Sequence, residues 1–432
     1  MVEVWLPYGD TEVVARIPTE LFLGSIEPHG ISASANPEID ILEAIEKPLG
    51  TPRLSDLVSQ SSRIAIIIEG GLPTPLLRTS LKVIVDSLVR IGARGDNITL
   101  ILTTGFEGMQ DFGGLSNLPI SDTGVSYRIV FHNPTDQENL ILLGETRRGT
   151  KVLLNRIFME ADLKMSLGLI ELHEFAGYLG ARTSILPGIS GLSTIKGSFG
   201  LLTDENARPG LLEGNPVDSE MWEANSMAKQ DFIISLILDR HGNLIKALGG
   251  GVKQVFEEGV KTLDSIRKVP IDATADIVLV AADGAPKDKT LSEAVGAIQN
   301  SLDALRRGGF LILVAECREG YGSRTFYDWM MGFKDFETLK RNIRKGYEFG
   351  CEKAYILAKA MEKGRVILVS SLPNFYAQEV FKVRRASTVN EALEIAYNGI
   401  GRRAKVLVIP YGRTTLPVMA KAQREEDARP LG

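Results

Sequence analysis

The chain is poor in the residues from which metal cages and disulfide frameworks are built. It has two cysteines, Cys317 and Cys351, and four histidines among 432 residues. The cysteines lie far apart without CxxC spacing, so they make neither a disulfide framework nor a zinc knuckle, and a reducing compartment fits them. No two of His29, His132, His173 and His241 have HxxxH or HExxH spacing, which argues against a protein-built metal cage. No uncharged apolar run reaches the roughly 18 residues of a membrane helix. The opening MVEVWLPYGDTEVVARIP carries charge and proline where a secretory leader needs an apolar core. Lys plus Arg is 49 against 54 Asp plus Glu, a net charge of −5, and no basic stripe is long enough to follow a phosphate backbone. These absences lead to the expectation of a cytoplasmic protein with neither a nucleic-acid nor a membrane partner. Low-complexity tracts are also missing, and the charged tail from Arg424 to Gly432 is expected to fray.

What is present reads as a folded α/β protein. Apolar residues are 44% and charged residues 24% of the chain, the balance of a globular protein, and the length suggests two or three domains. Val2 to Leu6 and Glu12 to Ile17 alternate apolar and polar residues across Tyr8-Gly9-Asp10, a β-hairpin that reads as a lid or an edge. From Arg63 the pattern becomes strand (RIAIII), loop (GGLPTP), helix (Leu76 to Ile91) and strand (Asn97 to Thr103), the unit of a parallel sheet. Further strands are expected near Tyr127 to Phe131, Asp162 to Gly168 and Phe232 to Leu238, and a helix over Gly250 to Arg267. A second α/β block begins near Thr274 with DIVLVAADG, a helix from Thr290 to Arg306, GGFLILVAECREG and GRVILVSSLP. The fold expected is therefore α/β and two-lobed, each lobe a mostly parallel sheet flanked by helices, with an N-terminal β-hairpin. The boundary falls at Val269-Pro270. Residues 1–269 form an N-terminal lobe and 270–404 a C-terminal lobe, and 405–432 hold a terminal strand, AKVLVIPYG, free to join either sheet, with the tail. A ligand site is expected in the cleft between two such lobes.

Three loops leave the carboxyl ends of the expected strands of the first lobe: Glu69 to Pro75, Thr103 to Gly108, and the segment around His173. Loops at that edge of a parallel sheet converge on one crevice. His173 stands before a glycine-rich turn, Gly177 and Gly180, that runs into Arg182 and Thr183. It reads either as a structural histidine beside a tight turn or as part of a ligand site, and the neighbouring Arg182 and Thr183 favour the site. His173 and Glu107 would be the acid/base pair. Arg182 would bind an anionic group, and the backbone from Gly177 to Thr183 would donate to a carboxylate or phosphate. Glu69, Thr74 and Gly105 would complete the binding loops, although both glutamates read equally well as solvated loop residues. Gly249-Gly250-Gly251 before a helix resembles a phosphate cradle or a plain helix entry. Glu316 to Gly322 is the corresponding loop of the second lobe. The partner expected is a small anionic molecule.

Several of these stretches together carry a family resemblance. LPYG near the start, PTP, TTGF, LHEFAGYLGARTSILPGI at the centre and AKVLVIPYG at the end resemble the nickel-dependent lactate racemases. That resemblance implies a two-lobed α/β fold and a nickel pincer nucleotide as cofactor. It also implies interconversion of 2-hydroxy acid enantiomers, in which a histidine accepts the hydroxyl proton. Carried over residue by residue, one proton-transfer histidine falls on His173 and the other on Glu107. The lysine that tethers the cofactor falls on Thr183 and the nickel-ligand histidine on Phe199. An Asp and an Arg of the first loop fall on Glu69 and Leu72, a Tyr-Gln pair and a lysine on Ser292, Glu293 and Gly296, and a tryptophan near Glu352. The expectation is a racemase-like isomerase of a small 2-hydroxy or carboxylic acid whose site departs from the tethered-nickel arrangement. The alternative is a catalytically silent relative that binds a nucleotide or metabolite.

Overall fold

The structure, a computed structural model, describes residues 1–103 and 125–420. The chain separates into two compact units, Ile31–Asp264 and a second that joins Met1–Gly30 to the chain from Ser265 onward.

The unit Ile31–Asp264 is built on a six-stranded sheet in the order Leu244–Gly250, Phe232–Leu238, Leu163–Leu169, Ile64–Ile68, Ile98–Leu102, Arg128–Phe131. All neighbours are parallel except the edge strand Leu244–Gly250, which returns antiparallel after a tight turn. All five residues of Ile64–Ile68 are buried, as expected for a central strand covered on both faces. The helix Thr74–Arg90 starts with Pro75 in its first turn, where a missing N–H costs nothing. It buries Leu77, Leu81, Ile84 and Leu88 on the sheet, one apolar stripe at helical spacing. A shorter helix, Pro37–Glu46, is capped by the Asn36 side chain and adds Ile41 and Ile45 to the same core.

The second unit holds another six-stranded sheet, ordered Arg384–Ala386, Arg365–Val369, Leu305–Val314, Ala275–Ala281, Val406–Ile409, Phe22–Ser25. It is parallel throughout. Here the expected domain limits change. Residues 1–30 belong with the C-terminal unit and not with the first lobe, because Phe22–Ser25 forms its edge strand against Val406–Ile409. The terminal strand, open to either sheet on sequence, lies between Ala275–Ala281 and Phe22–Ser25.

The expected hairpin is Val2–Tyr8 paired with Thr11–Ile17. It is a core element and not a lid: Leu6, Ala15 and Ile17 are buried with Ile277, Phe310 and Ala392. The helix expected over Thr290 to Arg306 covers Leu291–Ser301, starting in a capping box between Thr290 and Glu293 that satisfies its first amides. It stops early because the chain turns into the strand Leu305–Val314.

Candidate active site

Five strands of the Ile31–Asp264 sheet run parallel, so the segments that follow them leave one edge, where α/β proteins place ligands. Glu69 follows Ile64–Ile68 and is fixed there by its N–H donating to the Leu167 carbonyl, 2.9 Å. The segment holding His173 and Thr183 follows Leu163–Leu169. Gly105 and Glu107, expected on the loop after Ile98–Leu102, lie outside the described residues.

Glu69 is half-buried, and its carboxyl is held by protein donors. Thr183 donates its hydroxyl to Oε1 at 3.2 Å, and the Leu169 amide also donates to the carboxyl. A side chain at Gly168 would stand 2.2 Å from Glu69 Oε2, so only glycine leaves room for the carboxyl there. Burial pushes the Glu69 carboxyl up to about 8, against the opposing pull of the Thr183 hydroxyl, the Leu169 amide and the Arg182 charge. At neutral pH this carboxyl therefore holds its proton. Thr183 Oγ1 accepts the Gly180 N–H at 2.9 Å while donating to Glu69, so its hydroxyl is engaged on both sides.

His173 sits in a two-residue strand, Leu172–His173, paired antiparallel with Gly177–Tyr178. The turn between them folds back so that the N–H groups of Phe175 and Ala176 both donate to His173 Nδ1, each at 3.0 Å. Gly177 closes this turn at φ +78°, and a side chain there would meet the Leu211 carbonyl at 2.4 Å, which is why glycine holds the position. The imidazole lies 6.2 Å from the Phe199 ring and 6.3 Å from that of Phe175, centroid to centroid. Phe199 is buried at the end of the helix Leu192–Phe199.

Arg182 does not present its charge to a ligand. It is fully buried, with Nε on Asp218 at 2.5 Å and further donors on the carbonyls of Gly180, Ala176 and Tyr178. The guanidinium also lies 4.2 Å from the Phe256 centroid and 5.7 Å from that of Trp222, contacts that favour a flat cation. Burial works against the charge of both Arg182 and Asp218, and each supports the other's charge by attraction and hydrogen bonding. Nor does the backbone from Gly177 to Thr183 form an open anion cradle. The Leu179 N–H goes to the Glu171 carbonyl, that of Gly180 to Thr183 Oγ1, and that of Thr183 to the Gly180 carbonyl. The turn is closed on itself, and Arg182 is the bolt that holds it.

Thr74 stands exposed in the first turn of Thr74–Arg90, after the same strand that presents Glu69. The structure thus joins Glu69, Thr183 and Gly180 in one hydrogen-bonded group, His173 with Phe175 and Phe199 in a second, and Arg182 with an aromatic and acidic setting in a third. Two of the other histidines have local roles. His132 bridges the Ser190 carbonyl and the Asn155 amide, and burial lowers its proton affinity. His241 accepts from Arg240 in an exposed turn. Gly249-Gly250-Gly251 is a packing site and not a phosphate cradle: a side chain at Gly250 would meet the Leu49 carbonyl at 2.3 Å, and the Gly251 N–H donates to that carbonyl. In the second unit, Asp288 Oδ2 receives the N–H of Gly9 and of Glu316, at 2.7 and 3.0 Å, so the Glu316 loop is tied to the hairpin turn.

Asp218 and Trp222 were absent from the sequence reading. Their helix is signalled by Asn215-Pro216, an N-cap followed by proline at the first position. Which charged residue the helix delivers to Arg182 is a tertiary matter. Among the described residues, no three His, Cys, Asp or Glu side chains gather where they could hold a metal ion.

Comparison with known proteins matches both halves of the chain to one family. The lactate racemase N-terminal domain matches residues 8–210 and the lactate racemase C-terminal domain residues 271–416. The lactate racemase of Thermoanaerobacterium thermosaccharolyticum is 30% identical over 421 residues, covering 95% of this chain and 98% of that protein. That of Lactiplantibacillus plantarum is 29% identical over 434 residues, covering 95% and 99%. The structure of the T. thermosaccharolyticum lactate racemase apoprotein superposes with a TM-score of 0.86 at 28% identity, covering 96% of this chain and all of that one. A Thermotoga maritima protein shares the fold at a TM-score of 0.64 and 15% identity, over 89% of this chain and 98% of that one. With both domains matched and almost the whole length aligned, the chain belongs to the lactate racemase family.

Proposed function

We propose that this protein is a racemase or epimerase of a small 2-hydroxy or carboxylic acid, with His173 and Glu107 as its acid/base pair. The observation that supports the reading is His173 itself, held by two backbone N–H groups just after the strand Leu163–Leu169 in a family of lactate racemases. Inverting a stereocentre requires groups that act on both faces of one carbon, and an imidazole and a carboxyl are suited to those two roles. Glu69, protonated at neutral pH by its burial, is a second polar group at that edge and suits a hydrogen bond to an anionic oxygen.

The residues present do not fit the family's tethered nickel pincer nucleotide. Thr183, at the tether position, has a hydroxyl bound between Gly180 and Glu69 and no amine to form the link. Phe199, at the nickel-ligand position, has no donor atom and packs beside the His173 ring. The reading is therefore of a racemase-family site rebuilt around its own side chains, and no step is assigned to that cofactor.

The test is chiral chromatography of single-enantiomer 2-hydroxy acids incubated with the full chain and with His173→Ala. The expected result is interconversion of at least one pair, slowed about 100-fold or more in the variant. Unchanged turnover in His173→Ala overturns the assignment. Thr183 and Phe199 also favour a second reading, a catalytically silent relative that binds a nucleotide or metabolite. It gives ligand-dependent thermal stabilisation with no turnover across the whole panel.

A further inference from the structure

We infer that the Ile31–Asp264 unit carries a binding site for a phosphate ester of a flat ring compound, the chemistry of a nucleoside monophosphate. The site is a cavity of about 480 Å³ between the helix Pro216–Ala228 and the turn that joins the paired strands Leu140–Glu145 and Lys151–Asn155. Its size is that of a small-molecule pocket, and His173, Glu69 and Thr183 do not line it. Its walls include two adjacent guanidiniums, Arg147 and Arg148, the indole of Trp222 and the hydroxyl of Ser219.

The turn that carries the arginines is fixed on the helix. Buried Thr146 donates its hydroxyl to Glu220 Oε2 at 3.0 Å and accepts the Thr150 N–H at 3.1 Å. The Arg147 N–H donates to Glu223 Oε2 at 2.7 Å. Carboxylates of the helix thus hold the backbone of the turn, while both arginine side chains stand exposed and, among the described residues, enter no ion pair. Two neighbouring like charges left in this way repel each other, and a phosphate dianion between them removes the repulsion, since each planar guanidinium grips two of its oxygens. The Asp218 carboxylate in the wall does not cancel this charge, because Arg182 already matches it at 2.5 Å. Nor do the first amides of the helix take part: Asn215 Oδ1 accepts those of Val217 and Asp218. Recognition of the anion therefore falls to Arg147, Arg148 and the Ser219 hydroxyl.

Trp222 supplies the surface for the ring. It is half-buried, and Phe256 meets it edge-on at 5.5 Å between centroids. The Arg182 guanidinium lies 5.7 Å from its centroid, and its indole N–H donates to the Asp218 carboxyl. These contacts hold the indole in place before a ligand arrives, so stacking a base on it costs little further ordering.

Isothermal titration calorimetry of the full chain with AMP, phenyl phosphate, adenosine and inorganic phosphate tests the site. AMP and phenyl phosphate are expected to bind in the millimolar range or tighter, and adenosine and inorganic phosphate at least about tenfold more weakly. In the Arg147→Ala/Arg148→Ala variant the Kd for AMP is expected to rise about tenfold or more. Its thermal midpoint stays that of the wild type, since both side chains are exposed. A Trp5→Phe/Trp329→Phe variant keeps Trp222 as its only tryptophan, and AMP should change its emission saturably with the calorimetric Kd. No heat and no emission change with either ester up to about 10 mM overturns the site, as does an unchanged Kd for AMP in the double arginine variant. Inorganic phosphate bound as tightly as AMP overturns the ring contact and with it the ligand class. None of these readings uses turnover, so they stand or fall apart from the racemase reading.

Discussion

Asp218 would be a buried, uncompensated carboxylate in a chain without the Arg182 guanidinium, since burial alone disfavours its charge. Arg182→Met is therefore expected to destabilise its unit by about 3–5 kcal/mol, seen as a lowered denaturation midpoint, and adding Asp218→Asn is expected to recover part of the loss. Equal stability of Arg182→Met and the wild type would remove the bolt assigned to this residue. Glu69 gives a prediction in pH. Its native proton is held up to about pH 8, while the ordinary carboxyl lets go near 4.5. Between those values the folded state binds more protons than the unfolded one, so this group's contribution to stability falls as pH rises. Glu69→Gln lacks that dependence and should gain on the wild type by about 3 kcal/mol between pH 5 and pH 8.5. Parallel thermal-melt profiles for the two proteins would show the carboxyl to be ordinary. The place of His173 just after a strand was legible in the sequence, because the apolar run before it is plain. Arg182 was misread because its partner lies 36 residues further along, and no local pattern announces such a pairing.

At the scale of elements, the central strands announce themselves as unbroken apolar runs, since a parallel strand buried on both faces has no polar side to interrupt it. Hence Ile64–Ile68, Ile98–Leu102, Phe232–Leu238 and Ala275–Ala281 were readable to within a residue or two. The hairpin Val2–Tyr8 and Thr11–Ile17 was equally plain from its alternation, but alternation says only that one face is buried and is silent on what covers it. The 173–177 turn adds an element-scale prediction. Gly177→Ala puts a β-carbon at 2.4 Å from the Leu211 carbonyl on a backbone at φ +78°. It should cost about 2 kcal/mol or more, read as a lowered denaturation midpoint. A variant with wild-type stability would mean that the turn tolerates the shift.

For the whole molecule, the consequential feature is that one unit is contiguous in sequence and the other is closed by the first thirty residues. A fragment covering residues 31–264 is expected to fold cooperatively by itself. A fragment beginning at residue 265 lacks Leu6, Ala15 and Ile17 from its core and leaves Val406–Ile409 as an uncovered edge. It should aggregate, and be rescued when residues 1–30 are fused to it. Light scattering of the two fragments checks this, and a soluble, cooperatively melting 265–432 fragment would contradict it. The same arrangement sets a timetable for synthesis. Phe22–Ser25 leaves the ribosome early, but its partner strand Val406–Ile409 follows some 380 residues later, a wait on the order of 20 to 80 s at common elongation rates. Throughout that interval the middle unit can finish folding while Phe22–Ser25 waits without its partner, an early-made edge strand left open until Val406–Ile409 emerges.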